Sequence, residues 1–132
     1  MKVVFVNGCF DVLHRGHIEL FKYAKSLGDI LYVAVDSDEK VKKDKGESRP
    51  VNSLEDRIAL LESIRYIDRV FQFHTREGLV ALVAATAPDV LVVGSDWKGK
   101  PVVGSEYAKE VKFFERIGGY STTKIIQGSA SR

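Results

Sequence analysis

Two of the chain's three histidines, His14 and His17, flank Gly16 at the end of the stretch GCFDVLHRGH, residues 8 to 17. An apolar run, Val3 to Val6, comes just before, and Ile18, Leu20 and Phe21 follow at helical spacing. The imidazoles therefore fall at a strand-to-helix junction. A helix start offers unpaired N–H groups and the positive end of the macrodipole, a setting that suits a phosphate. Gly8 is expected to turn the chain sharply off the strand, and Gly16 to let a ligand approach the backbone closely. A neutral imidazole donates one hydrogen bond, and a protonated one adds charge. The chemistry this pattern favours is charge neutralisation on a phosphate as its transition state forms. The plain alternative has one histidine packed and the other solvated.

Other chemistries find less support. The Gly-x-Gly-x-x-Gly fingerprint of dinucleotide binding is absent from the opening stretch. Zinc lacks ligands, since His74 is the only further histidine and Cys9 the only cysteine. A lone cysteine also forms no intramolecular disulfide. Cys9 beside two imidazoles invites a nucleophile reading, but direct displacement needs no covalent intermediate. It is expected to be a small residue that fits a crowded turn. The net charge of +2 is too small to imply nucleic acid or a membrane surface. No run approaches the roughly 20 apolar residues of a membrane span. With no signal-peptide pattern at the N-terminus, a cytoplasmic location is expected.

The elements that must position these residues alternate. Strands are expected at 2–6, 30–35, 69–73, 90–94 and 111–114, and helices at 16–27, from Ser53 onward and at 76–86. Gly28 can cap the first helix, and Ser53 with Asp56 resembles a capping box at the second. Residues 37–52 read as a charged loop with a helical turn near its start. A short helix is expected around 106–109, and a last one opening at Ser121–Thr123. With an apolar content of 45%, this is one globular domain spanning residues 1–132. Strand–helix alternation implies a three-layer α/β sandwich on a mostly parallel five-stranded sheet. Ligands of such sheets bind beyond the carboxyl ends of the strands, at a switch in strand order. The segments after the first, fourth and fifth strands should gather there.

The pattern G-x-F-D-x-x-H-x-G-H, here Gly8-Cys9-Phe10-Asp11-Val12-Leu13-His14-Arg15-Gly16-His17, resembles the cytidylyltransferase-like nucleotidyltransferases. So does Ser121-Thr122-Thr123 at an expected helix start. The resemblance covers nearly the whole chain and implies a Rossmann-like fold, a homodimer and an Mg²⁺-dependent reaction. In that reaction a nucleoside triphosphate joins a sugar or polyol phosphate and pyrophosphate leaves. Two branches compete. Gly94-Ser95-Asp96-Trp97-Lys98-Gly99-Lys100 is similar to glycerol-3-phosphate cytidylyltransferases. Lys45–Asn52 with Leu54–Arg57 is similar to the adenylyltransferase domain of ADP-heptose synthases. CTP with glycerol 3-phosphate stands slightly ahead, and ATP with heptose 1-phosphate is the alternative. A non-catalytic nucleotide-binding module is the rival of another class.

The resemblance implies roles residue by residue. His14 and His17 meet the α- and β-phosphates, while Lys45 and Arg116 add positive charge. Gly8, Cys9, Phe10, Gly16, Arg57, Gly94, Ser121, Thr122 and Thr123 line the nucleotide site. Arg57 has a plainer alternative in a salt bridge to Asp56 or Glu55, and Ser121 in a simple N-cap. Asp11, Asp96 and Trp97 face the acceptor. Asp11 either helps hold Mg²⁺ through water or braces its own loop, and Trp97 either walls the pocket or packs.

Overall fold

The computed structural model describes residues 1–115. The helix expected at Ser121–Thr123, and the site residues Arg116, Ser121, Thr122 and Thr123, lie outside the described residues.

Five short segments form the strands: β1 (Val3–Gly8), β2 (Ile30–Asp36), β3 (Arg69–Phe73), β4 (Val90–Gly94) and β5 (Glu110–Phe114). Four helices are described: α1 (Arg15–Ser26), α2 (Asp38–Lys45), α3 (Leu54–Glu62) and α4 (Arg76–Thr86). The strand order is β3-β2-β1-β4-β5, and each neighbouring pair is parallel. The sheet was expected to be mostly parallel. Among the described strands it is wholly so, because every connection is a crossover.

Alternation along β1 builds the two faces. Val4 and Val6 point into one core with Phe21 and Ala24 of α1 and Leu61 of α3. Phe5 points into the other with Leu79 and Val83 of α4 and Leu91 of β4. Each buried Val, Leu or Phe among them contributes about 1.5–3 kcal/mol. Helices thus cover both faces of a buried sheet, the expected Rossmann-like three-layer arrangement.

Two local expectations change. Residues 38–45 are a full helix within the stretch read as a loop. Its stability is largely electrostatic. The Ser37 hydroxyl caps Lys40 N–H, Asp38 and Glu39 occupy the first turn, and Lys42, Lys43 and Lys45 occupy the last. Only Val41 is buried, so no apolar stripe marked it. The helix expected around 106–109 is a single 3₁₀ turn, Ser105–Tyr107.

Strand order reverses between β1, whose chain continues through β2 to β3, and β4, which continues to β5. The crevice at this switch point lies beyond Gly8 on one side and Gly94 on the other.

Candidate active site

The loop leaving β1 is shaped by Phe10 rather than by Gly8. Gly8 is the last β1 residue, in register with Val35 of β2. Phe10 carries the left-handed backbone, with φ at 49°. That conformation costs a side-chain-bearing residue roughly 1–2 kcal/mol. Burial of the ring offsets it, for Phe10 is only 6% exposed. Gly8 makes the space: a Cβ there would lie 2.9 Å from the Phe10 ring tip. Phe10, expected to line the nucleotide site, packs its ring against Phe21 at 5.2 Å and edge-on against His17 at 5.6 Å.

The two motif histidines form the start of α1. His14 is the N-cap, and its Nδ1 accepts from Gly16 N–H at 3.1 Å. His14 N–H donates to Nδ1 of His17 at 3.2 Å. The rings stack with centroids 3.8 Å apart. This is a capping box made of imidazoles, where Ser or Thr with Glu is usual. Gly16, expected to let a ligand approach the backbone closely, has its N–H taken by His14. With both Nδ1 atoms accepting, a neutral ring carries its proton on Nε2. The capping bonds hold both rings at the helix end and leave Nε2 as the N–H donor of each neutral ring.

Asp11 is 1% exposed. Its Oδ2 accepts from Arg49 Nε and Val51 N–H, and its Oδ1 from Asn52 N–H, each at 2.8 Å. Asn52 Nδ2 donates back to the Asp11 carbonyl at 2.7 Å. Burial pushes this carboxyl up, but the Asn52 and Val51 amides and the Arg49 guanidinium outweigh it. The net pKa lies below the ordinary carboxylate value. A buried carboxylate so engaged does not fit an Mg²⁺ ligand or a substrate contact, so the brace is the reading its geometry carries. Among the described residues no group of three or more His, Cys, Asp or Glu side chains is placed to hold a metal.

Arg57 is 0% exposed. Its Nη1 donates to the Cys9 carbonyl at 2.9 Å and its Nε to the Asn52 carbonyl at 3.1 Å. Nη2 pairs with Asp38 Oδ1 at 2.7 Å. The ion-pair partner is thus Asp38 of α2, not the neighbouring Glu55 or Asp56. Burial pushes the Cys9 thiol up, and the Lys45 and Arg57 charges offset this only in part. That leaves a thiol at neutral pH. Lys45 is exposed at the end of α2, within electrostatic reach of Cys9.

Across the switch point, β4 runs beside β1 with Val6 opposite Val92. It ends at Gly94, where a Cβ would lie 2.7 Å from Asp96 Oδ1. Asp96 and Trp97 form the next 3₁₀ turn, and Trp97 is 44% exposed. His74, expected on the surface, is exposed, with Nδ1 2.7 Å from the Ser37 hydroxyl.

The fold thus gathers Gly8, Cys9, Phe10, Asp11, His14, Gly16, His17 and Arg57 at one strand end, with Gly94, Asp96 and Trp97 at and just beyond the end of the neighbouring strand. Arg49, Asn52 and Asp38 hold this loop, yet sequence reasoning gave them no role. Two polar residues flanking Pro50-Val51 were the available signal.

The model of the family described as cytidylyltransferase-like matches residues 5–128. The chain belongs to this family of nucleotidyltransferases. The nucleotidyltransferase is 48% identical over 126 residues to the bifunctional protein HldE of Campylobacter concisus, covering 96% of this chain and 26% of that protein. HldE of Helicobacter pylori strain Shi470 is 47% identical over 126 residues, with 96% and 27% covered. The chain spans about a quarter of the length of these curated relatives. Among solved structures, a lipopolysaccharide core biosynthesis protein from Thermoplasma volcanium aligns with a TM-score of 0.68 and 30% identity, over 92% of this chain and 99% of that one. A pantoate-β-alanine ligase from Francisella tularensis shares the fold at a TM-score of 0.63 and 18% identity, over 98% and 69%. No described helix is long and apolar enough to cross a membrane.

Proposed function

We propose that the nucleotidyltransferase moves AMP from ATP to a heptose 1-phosphate, yielding ADP-heptose and pyrophosphate. The 48% identity to an HldE protein over 96% of the chain carries this reading. It reverses the slight preference for CTP and glycerol 3-phosphate. The structure lends support through the two competing segments. The stretch resembling ADP-heptose synthases supplies Arg49, Asn52 and Arg57, which are wired into the motif loop. The stretch resembling cytidylyltransferases, Gly94–Lys100, is largely an exposed turn.

The acceptor phosphate is already an oxyanion near neutral pH, so no strong base is required. One of its oxygens attacks the α-phosphorus in line. The bond from that phosphorus to the bridging oxygen breaks, and its electron pair leaves with pyrophosphate. His14 and His17 donate through Nε2 to phosphate oxygens, where preorganised donors lower the barrier most. Lys45 adds charge from the end of α2. By the family resemblance, Arg116, Ser121, Thr122 and Thr123 complete the cradle. Mg²⁺ belongs to this reading as the triphosphate's counter-ion and would neutralise phosphate charge there. The resemblance also implies a homodimer, which light scattering checks.

The test offers ATP or CTP with heptose 1-phosphate or glycerol 3-phosphate and follows pyrophosphate. The expected result is release from ATP with heptose 1-phosphate well above the other pairs. Faster release from CTP with glycerol 3-phosphate would overturn the assignment. ATP binding by calorimetry with no release from any pair would favour a non-catalytic module.

A further inference from the structure

Arg57 is the largest fully buried side chain among the described residues, and nothing in the reaction scheme uses it. Its guanidinium joins three segments: Asp38 at the start of α2, Asn52 ahead of α3, and Cys9 in the loop after β1. We propose that Arg57 is a positioning residue that seats the His17 imidazole by way of Cys9 and Phe10.

The Cys9 carbonyl and the Phe10 nitrogen share one rigid unit. Fixing that carbonyl oxygen fixes the plane about which Phe10 takes its φ of 49°. On the far side of Phe10, Asp11 is held through both its carboxylate and its carbonyl. The strained residue is therefore anchored on both flanks, as such conformations require. Its ring then has one place to go, over Gly8 and edge-on to His17. Each of the three guanidinium nitrogens already donates a hydrogen bond, and the group is sealed from solvent. A nucleotide would have to open the core to reach it. Arg57 thus acts through the loop rather than on the ligand, as an arginine fork suits better than a lysine.

Arg57→Lys keeps the charge but cannot serve Cys9, Asn52 and Asp38 together. The first readout uses the ligand-free protein: the His17 imidazole signals in a long-range ¹H–¹⁵N spectrum should shift or broaden while unfolding stays cooperative. The second is kinetic and rests on the proposed adenylyl transfer. There kcat should fall about tenfold or more, with KM for ATP within about threefold. A tenfold rise in KM with kcat kept and His17 signals unmoved would make Arg57 a ligand contact and overturn the proposal. If no turnover is found with any substrate pair, the spectroscopic readout alone decides. Should Arg57→Lys not fold, Asp38→Asn removes the charged partner at the more exposed end of the same guanidinium. A smaller loss of kcat with moved His17 signals supports the proposal, and no change in either contradicts it.

Discussion

His17 caps the residue that caps its own helix: its Nδ1 takes the backbone N–H of His14, while Nδ1 of His14 takes that of Gly16. Fold and site meet in this one arrangement. The helix end is satisfied by the same rings that the proposed reaction uses, so neither ring turns without loosening α1. With both Nδ1 atoms accepting, the tautomer follows. Long-range ¹H–¹⁵N spectra of the ligand-free protein above the histidine titration range should show both rings protonated at Nε2. A proton on Nδ1 of either ring would mean the box is open in solution.

Substitution separates the two duties of His17. His17→Ala removes one cap acceptor, which costs about 0.5–2 kcal/mol of stability. In the proposed reaction it also removes a transition-state donor, worth about 10²–10³ in turnover. Urea unfolding and pyrophosphate release on the same preparation should show this imbalance. Activity that falls only in step with the folded fraction would make His17 a structural residue.

Asp11 should announce itself in the pH dependence of stability. Its folded pKa lies below the unfolded value of about 3.9, so its contribution is present above that value. It is lost as pH falls through the folded pKa. Asp11→Asn should be less stable at neutral pH by about 3–5 kcal/mol, because Arg49 loses a buried partner. The gap between the two proteins should narrow as the pH falls from about 4 through the folded pKa of Asp11. Denaturant unfolding across this range checks it. A gap that held constant into acid would remove the charge from the explanation.

Gly8→Ala tests the space under Phe10. The added Cβ would sit 2.9 Å from the ring and force it to move. Overpacking of this kind costs about 1–3 kcal/mol. Since the ring backs His17, turnover should fall by more than the folded fraction does. A crystal structure of the variant with the Phe10 ring unmoved and full activity would contradict the packing role.

The inner strands β1, β2 and β4 were readable as short apolar runs, as a sheet covered on both faces requires, whereas the edge strands β3 and β5 mix charged or polar residues with their apolar ones. Strand–helix alternation then placed the motif at the ligand edge. Helix α2 was hidden because it is held by its cap and charge order, with Val41 as its one buried residue. Phe10 as the turning residue was hidden too, since glycine is the usual bearer of a left-handed φ and Gly8 stood nearby. The Asp11 brace joins residues 38 to 41 positions apart, and no local spacing reports such a contact. Arg57 was singled out on resemblance to the nucleotide site. Its burial against Cys9 comes from the packing of α3 onto the first loop, which periodicity does not show. The choice between ATP and CTP was left open by two segments that point to different branches.

The most direct test is a crystal structure of the nucleotidyltransferase with a non-hydrolysable ATP analogue and heptose 1-phosphate. The expected result places α- or β-phosphate oxygens within about 3 Å of Nε2 on both His14 and His17, with their Nδ1 hydrogen bonds intact. An analogue bound with its phosphates away from both rings would contradict the account.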